Sequence, residues 1–213
     1  MLRYKSINII WLIIVSLWIP SCNKSTITVK VGYLPVTSCL PLFVALETDL
    51  FAAQNIVVEP IKFESSNIMA EALVAGAIDV AAGTSTFATI AISQNSDESR
   101  IFMTTNATPQ RFMSSLLVKN SPNIASIQDL YNKKIGCFPG AAIKAYTALF
   151  LKKNKAYGPK TQFIELPPQL QLTALENGSV DAVMCLEPIG TLARETGKAR
   201  TLLHGAIERD VIT

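Results

Sequence analysis

The chain writes nearly the same six residues twice. "KVGYLP" runs over Lys30–Pro35 and "KIGCFP" over Lys134–Pro139, 104 residues apart. A second pair follows in the same order: "ALVAGAIDVA" at Ala72–Ala81 and "ALENGSVDAV" at Ala174–Val183, 102 residues apart. Both members read Ala-Leu-x-x-Gly-x-(Ile/Val)-Asp. Self-similarity at a near-constant offset constrains architecture before any local propensity does. It requires two similarly built halves, and 213 residues are enough for two small lobes.

The pattern inside each half is alternating strand and helix. "ITVKVGYL" from Ile27 alternates and is β-branched, as strands are. "PLFVALETDLFAAQ" has helical apolar spacing with Pro41 suited to a first turn. "IVVEPIKF" is a second strand, and Ser65, Ser66 and Asn67 offer caps to a helix that closes at Gly76. "AIDVAAG" reads as a short buried strand, "TSTFATIAIS" as a helix and "RIFMTT" (100–105) as a fourth strand. After the break at "NATPQR", "SSLLVK" resumes as a strand. From Ile127 the order repeats: helix "IQDLY", strand "KKIGCF", helix "AAIKAYTALFLKKN", strand "QFIEL", helix "PPQLQLTALENG", strand "SVDAVMCL", helix "EPIGTLARETG", strand "ARTLL". Such alternation implies parallel sheets with right-handed crossovers. The expected division is lobe 1 over 27–110 and lobe 2 over 111–213.

The first residues read differently. Arg3 and Lys5 precede the apolar run "INIIWLIIVSLWIP", which ends at Ser21-Cys22. That is a secretory signal over 1–21, shorter than the roughly 20 apolar residues of a membrane span. "IPSC" has the form of a bacterial lipobox, in which Cys22 is acylated and becomes the new N-terminus; the other reading is plain secretion. Residues 22–26 then form a tether. This places the protein outside the cytoplasm, anchored to a membrane surface. Net charge is +3, with no basic-aromatic interleaving, so nucleic acid is not an expected partner.

Without Cys22, the cysteines are Cys39, Cys137 and Cys185. They lack CxxC spacing, and Cys137 and Cys185 read as small core residues, so no metal site is expected. The one histidine, His204, stands far from any serine or cysteine motif, so nucleophilic catalysis is poorly supplied. Neither an enzyme nor a cofactor is expected.

Ligands of parallel α/β sheets bind beyond the carboxyl ends of the strands. Those ends are Tyr33-Leu34-Pro35, Glu64-Ser65-Ser66 and Gly83-Thr84-Ser85 in one half. In the other they are Cys137-Phe138-Pro139-Gly140, Pro167-Pro168 and Glu187-Pro188. Several are helix starts, whose free N–H groups accept anions. Each candidate has a second, structural reading. Thr84 and Ser85 offer ligand hydroxyls or a helix cap. Gly140 and the amide of Ala141 offer an anion cradle or a tight turn. Tyr33 is a stacking face or packing, and Glu187 a ligand contact or a charge placed for the helix dipole.

With these stretches in view, the chain resembles the substrate-binding proteins of bacterial ABC importers for nitrate, taurine, alkanesulfonates and thiamine-pyrimidine precursors. "VGYLP", "ALVAGAIDVAAGTS", "DLYNKKIGCFPGAA" and "ALENGSVDAVMCLEP" carry the resemblance, which spans about Ile27 to His204. It implies a type 2 periplasmic binding fold: two α/β lobes, a two-stranded hinge and a ligand held between them. It also implies ligand contacts from the loop Tyr33–Cys39, including Ser38, from Gly83–Ser85, from the Pro-Gly-(Ser/Thr) turn and from the Trp-(Asp/Glu)-Pro turn. Ala141 stands where the family has Ser or Thr, and Leu186 where it has Trp. A charge-assisted contact of about 1.5–3 kcal/mol is thereby lost to an anion. A larger ligand, its amino group meeting Glu187 and its ring against Tyr33 or Phe138, fits better.

Family members continue well past the equivalent of Thr213 and return to the first lobe, so the C-terminal return segment is expected to be missing here. The implied partners are a small-molecule ligand, an ABC permease and a membrane through the lipid anchor, with the protein a monomer. The alternatives are a same-fold enzyme of thiamine-pyrimidine biosynthesis and the ligand-sensing module of a truncated sensor.

Overall fold

The computed structural model describes residues 25–95, 99–108 and 110–211. The expected signal, its lipobox with Cys22 and the start of the tether lie outside these residues. The described chain forms two sheets, as the repeat requires. The first has strand order β2-β1-β3, from β1 (Ile27–Tyr33), β2 (Ile56–Lys62) and β3 (Val80–Ala82), all parallel. Helices α1 (Leu40–Glu47) and α2 (Ser66–Val74) make the crossovers, and α3 (Thr86–Asn95) follows β3. The second sheet has order β6-β5-β7-β4-β8. Its strands are β4 (Ser114–Val118), β5 (Lys134–Cys137), β6 (Gln162–Glu165), β7 (Ala182–Leu186) and β8 (Arg200–His204). Its helices are α4 (Ala141–Lys153), α5 (Pro168–Glu176), α6 (Ile189–Glu195) and a terminal turn of helix, α7 (Ala206–Asp210).

The duplicated motifs have a physical explanation in both halves. Gly76 (φ +71°) and Gly178 (φ +78°) follow the ends of α2 and α5 in the left-handed conformation that glycine adopts without strain. Three residues on, Asp79 Oδ2 accepts the N–H of Lys30 at 2.8 Å, and Asp181 Oδ2 accepts that of Lys134 at 2.8 Å. Each aspartate thus ties the helix exit to the central strand. The glycines of those strands let a layer pack close. A Cβ on Gly32 would stand 2.6 Å from Ile78 Cδ1, and one on Gly136 would stand 3.0 Å from Leu166 Cδ1.

β4 departs from the all-parallel expectation. It runs antiparallel between β7 and β8, and all five of its residues are buried. Leu116 and Val118 point to the face covered by Phe150 and Leu151 of α4 and Ile207 of α7. Leu117 points to the face covered by Leu172 and Leu175 of α5 and Ala193 of α6. The second sheet therefore has a core on both faces.

Two local expectations are corrected, and one element is new. Residues 100–105 form no strand; Ile101, Phe102 and Met103 are exposed. An extended segment becomes a strand only by pairing, and the first sheet pairs nothing beyond β3. "IQDLY" is one 3₁₀ turn, Ile127–Leu130, closed by a capping box between Ser126 and Asp129. Helix α7 was not anticipated, because a single turn carries no periodic signal. The buried Glu208 holds it in place: its carboxylate accepts the N–H groups of Met113 (2.9 Å) and Ser114 (3.1 Å) and the Ser114 hydroxyl.

Candidate functional site

The carboxyl ends of the two sheets meet. Leu34, Val36, Cys39, Met69 and Ile78 from the first half share one apolar cluster with Phe138 from the second; Ile143 and Leu186 pack against it. Beside that cluster the Thr37 N–H donates to the Glu187 carbonyl at 3.0 Å, a backbone bond from one half to the other.

Next to this contact lies a cavity of about 440 Å³, walled by both halves. Glu64, Ser65, Asn67 and Ile68 line it where β2 turns into α2. Pro139, Gly140, Ala141 and Lys144 line it where β5 turns into α4, and Glu165 closes the end of β6. Both helix starts are built for open N–H groups. Ser65 caps α2 by accepting the Ile68 N–H at 3.3 Å. Gly140 precedes α4 at φ +124° and ψ 148°, a conformation essentially restricted to glycine. Its N–H donates to Glu165 Oε2 at 3.3 Å. Glu64 Oε1 pairs with Lys62 at 3.0 Å, while Glu64 Oε2 is inaccessible and has no hydrogen-bond partner.

The sequence candidates divide into two groups. Gly140 and Ala141 line the cavity. Tyr33 is half-buried, with Phe43 edge-on at 5.0 Å between ring centroids. Ser38 packs beneath the β3–α3 turn, where a Cβ on Gly83 would meet its Oγ at 3.3 Å. Ser85 accepts the Ala88 N–H at 3.3 Å as a cap, and Thr84 Oγ1 lies 3.5 Å from Thr89 Oγ1. Glu187 is committed at both oxygens: Oε1 accepts the Ser115 hydroxyl at 3.2 Å and Oε2 the Thr191 N–H at 2.9 Å. Gly190 makes room for that carboxylate, since a Cβ there would stand 2.5 Å from Oε1. Tyr33, Ser38, Thr84, Ser85 and Glu187 do not line this cavity. Glu64, Asn67, Lys144 and Glu165 do; Glu165, as the last residue of β6, was within reach of the strand-end rule.

His204 is less isolated than the sequence implies. Its Nδ1 lies 3.4 Å from Ser115 Oγ, and Phe112 lies over its ring at 5.2 Å. Ser115 is fully buried and its hydroxyl serves Glu187, so the serine stands between acid and imidazole. A general base activating a serine needs the imidazole in that middle position. Burial, then the positive charge of Arg194, hold the His204 pKa below its ordinary value, against the opposing pull of Glu187. Burial raises the Cys137 and Cys185 thiols to about 12, and Cys39 is also raised. At neutral pH these thiols stay protonated and unreactive. Among the described residues, no three acidic, histidine or cysteine side chains converge as a metal site.

Solved structures share this architecture. The alkanesulfonate-binding protein SsuA from Xanthomonas axonopodis pv. citri, bound to MOPS, superposes with a TM-score of 0.68 at 22% identity over 85% of this chain. The periplasmic aliphatic sulphonate binding protein SsuA from Escherichia coli gives 0.63 at 22% over 87%. The periplasmic nitrate-binding protein NrtA from Synechocystis PCC 6803 gives 0.64 at 17% over 84%. The chain spans 62%, 63% and 51% of those proteins respectively. At such identities the likeness shows the fold, that of periplasmic binding proteins. No curated protein matches the chain by sequence. The model of the NMT1-like family matches residues 23–201, most of the chain, and the protein belongs to that family.

Proposed function

We propose that this protein is an extracytoplasmic solute-binding lipoprotein, which captures a small organic molecule or oxyanion and delivers it to an ABC importer. One observation carries the reading: a cavity walled by both halves, at the carboxyl ends of their strands and the starts of α2 and α4. A molecule held there touches both lobes at once. Contacts made only when the lobes are together stabilise the closed arrangement, and the importer reads that arrangement. The chemistry required is binding alone.

The names of the structural neighbours support the class, being binding proteins for alkanesulfonates and nitrate. Membrane attachment through acylated Cys22 belongs to the same proposal, with the basic start and apolar run ahead of it as support.

The test is thermal unfolding of the purified protein against sulfonates, nitrate, small amines and pyrimidines. A saturating ligand at 100 times its Kd raises stability by about 2.7 kcal/mol. A rise in Tm with at least one class is expected. No rise with any class counts against capture. Intact mass of the membrane fraction reports separately on Cys22: a diacylglyceryl mass on a chain starting there is expected, and an unmodified N-terminus overturns the anchor.

A further inference from the structure

We propose that the cavity between the lobes selects a ligand carrying a protonated amine and discriminates against small oxyanions, with Glu165 and Glu64 as the specificity-determining residues. The inference rests on the solute-capture reading and goes further by naming the ligand class. Its starting point is the start of α4. A free N–H before a helix start, with the positive end of the helix dipole behind it, is where a bound anion would sit. Here the Gly140 N–H already donates to Glu165 Oε2. The protein supplies its own carboxylate to the cradle, and an incoming sulfonate or nitrate would have to displace it while approaching a like charge.

The opposite wall points the same way. Glu64 brings a second carboxylate to the lining. Its Oε1 pairs with Lys62, but both side chains are more than two-fifths exposed, and such a pair contributes little. Among the described residues that line the cavity, two carboxylates stand against one cation, Lys144, so the lining is net negative. An ammonium group supplies up to three donors and a positive charge, and it satisfies Glu165 without evicting it from Gly140. Glu187, the acid that the strand-end rule singled out for this task, does not line this cavity.

The experiment is calorimetric titration of the full protein with ethylammonium, benzylammonium and putrescine, and with methanesulfonate and nitrate. At least one amine is expected to bind and neither oxyanion. In Glu165→Gln the affinity for that amine falls about tenfold or more, while the unliganded Tm stays unchanged because Glu165 is exposed. Glu64→Gln weakens the same amine independently. If an oxyanion binds and no amine does, the inference fails while solute capture stands. If an amine binds equally well to wild type and both variants, Glu165 and Glu64 are not the determinants and the inference also fails. Silence from all five probes overturns the inference and counts against the capture reading as well.

Discussion

Asp79 and Asp181 sit 102 residues apart and make the same hydrogen bond, each to the N–H of a lysine in a central strand. They explain why the Gly-x-(Ile/Val)-Asp motif recurs, because each aspartate ties the turn after a helix to the central strand beside it. Replacing either by alanine is expected to cost about 1 kcal/mol. The double replacement should cost the sum within about 0.5 kcal/mol, since the two lie in different sheets. Urea midpoints of the four proteins check this, and strong non-additivity would refute independent halves. His204 gives a pH prediction. Its pKa is depressed in the fold, while in the unfolded chain it returns to 6.5. As pH falls below that value the unfolded state takes up the proton first, so the stability this residue contributes is present above pH 6.5 and lost below it. His204→Asn, which cannot titrate, should show a flatter stability between pH 7 and 5 than the parent. The residue-level reading of the sequence was sharpest where a side chain serves the backbone. It left Glu187 open between two readings, because a carboxylate at a strand end reads the same whether it faces a ligand or bonds, as it does here, to Ser115 and Thr191.

Elements followed from periodicity wherever packing agreed with it. Helix starts at Ser65, Gly140 and Pro168 and the strands of both sheets fall where capping residues, glycines and β-branched runs place them. The failures share a cause, which is that pairing is not local. "RIFMTT" has a strand's composition but no neighbour to bond, whereas "SSLLV" has two, one of them 82 to 89 residues downstream by paired positions. Antiparallel insertion of β4 leaves no mark in its own five residues. The cavity was half legible: Gly140 and Ala141 came from the strand-end rule, but Glu165 entered only once β6 was seen to end beside α4. The start of α4 supplies the test at this scale. A Cβ on Gly140 would meet nothing closer than Asn67 Oδ1 at 3.8 Å, so Gly140→Ala is not blocked by space. It is blocked by φ +124°, and an alanine held there costs about 1–3 kcal/mol. The expected result is a lower urea midpoint together with weaker ligand binding, as α4 turns to relieve the strain. Ala141→Ser, one residue on and exposed, should stay within about 0.5 kcal/mol of the parent.

The two halves of the molecule carry opposite charge. Residues 27–110 contain three basic and eight acidic side chains, and 111–213 contain thirteen basic and eight acidic. Long-range attraction between them competes with the apolar cluster as the force that keeps the halves together. The ion pairs Lys62–Glu64 and Lys198–Glu176 each lie within a single half. The apolar contact instead centres on Phe138, 2% exposed and packed with Leu34, Val36 and Met69 from the other half. Exposed charges are screened beyond roughly 10 Å at 0.1 M salt, whereas burial of an aromatic ring is not weakened by sodium chloride. The two contributions can therefore be separated. The connecting segment exposes Phe102 without secondary structure and should be the first site of chymotrypsin cleavage. The cut protein is expected to elute as one species in size-exclusion chromatography, in 20 mM and in 500 mM sodium chloride alike. Phe138→Ala removes about 3–5 kcal/mol of packing and should let the cut halves separate at either salt concentration. Separation of the parent by salt alone would place the force in the charges and leave the cluster around Phe138 a bystander.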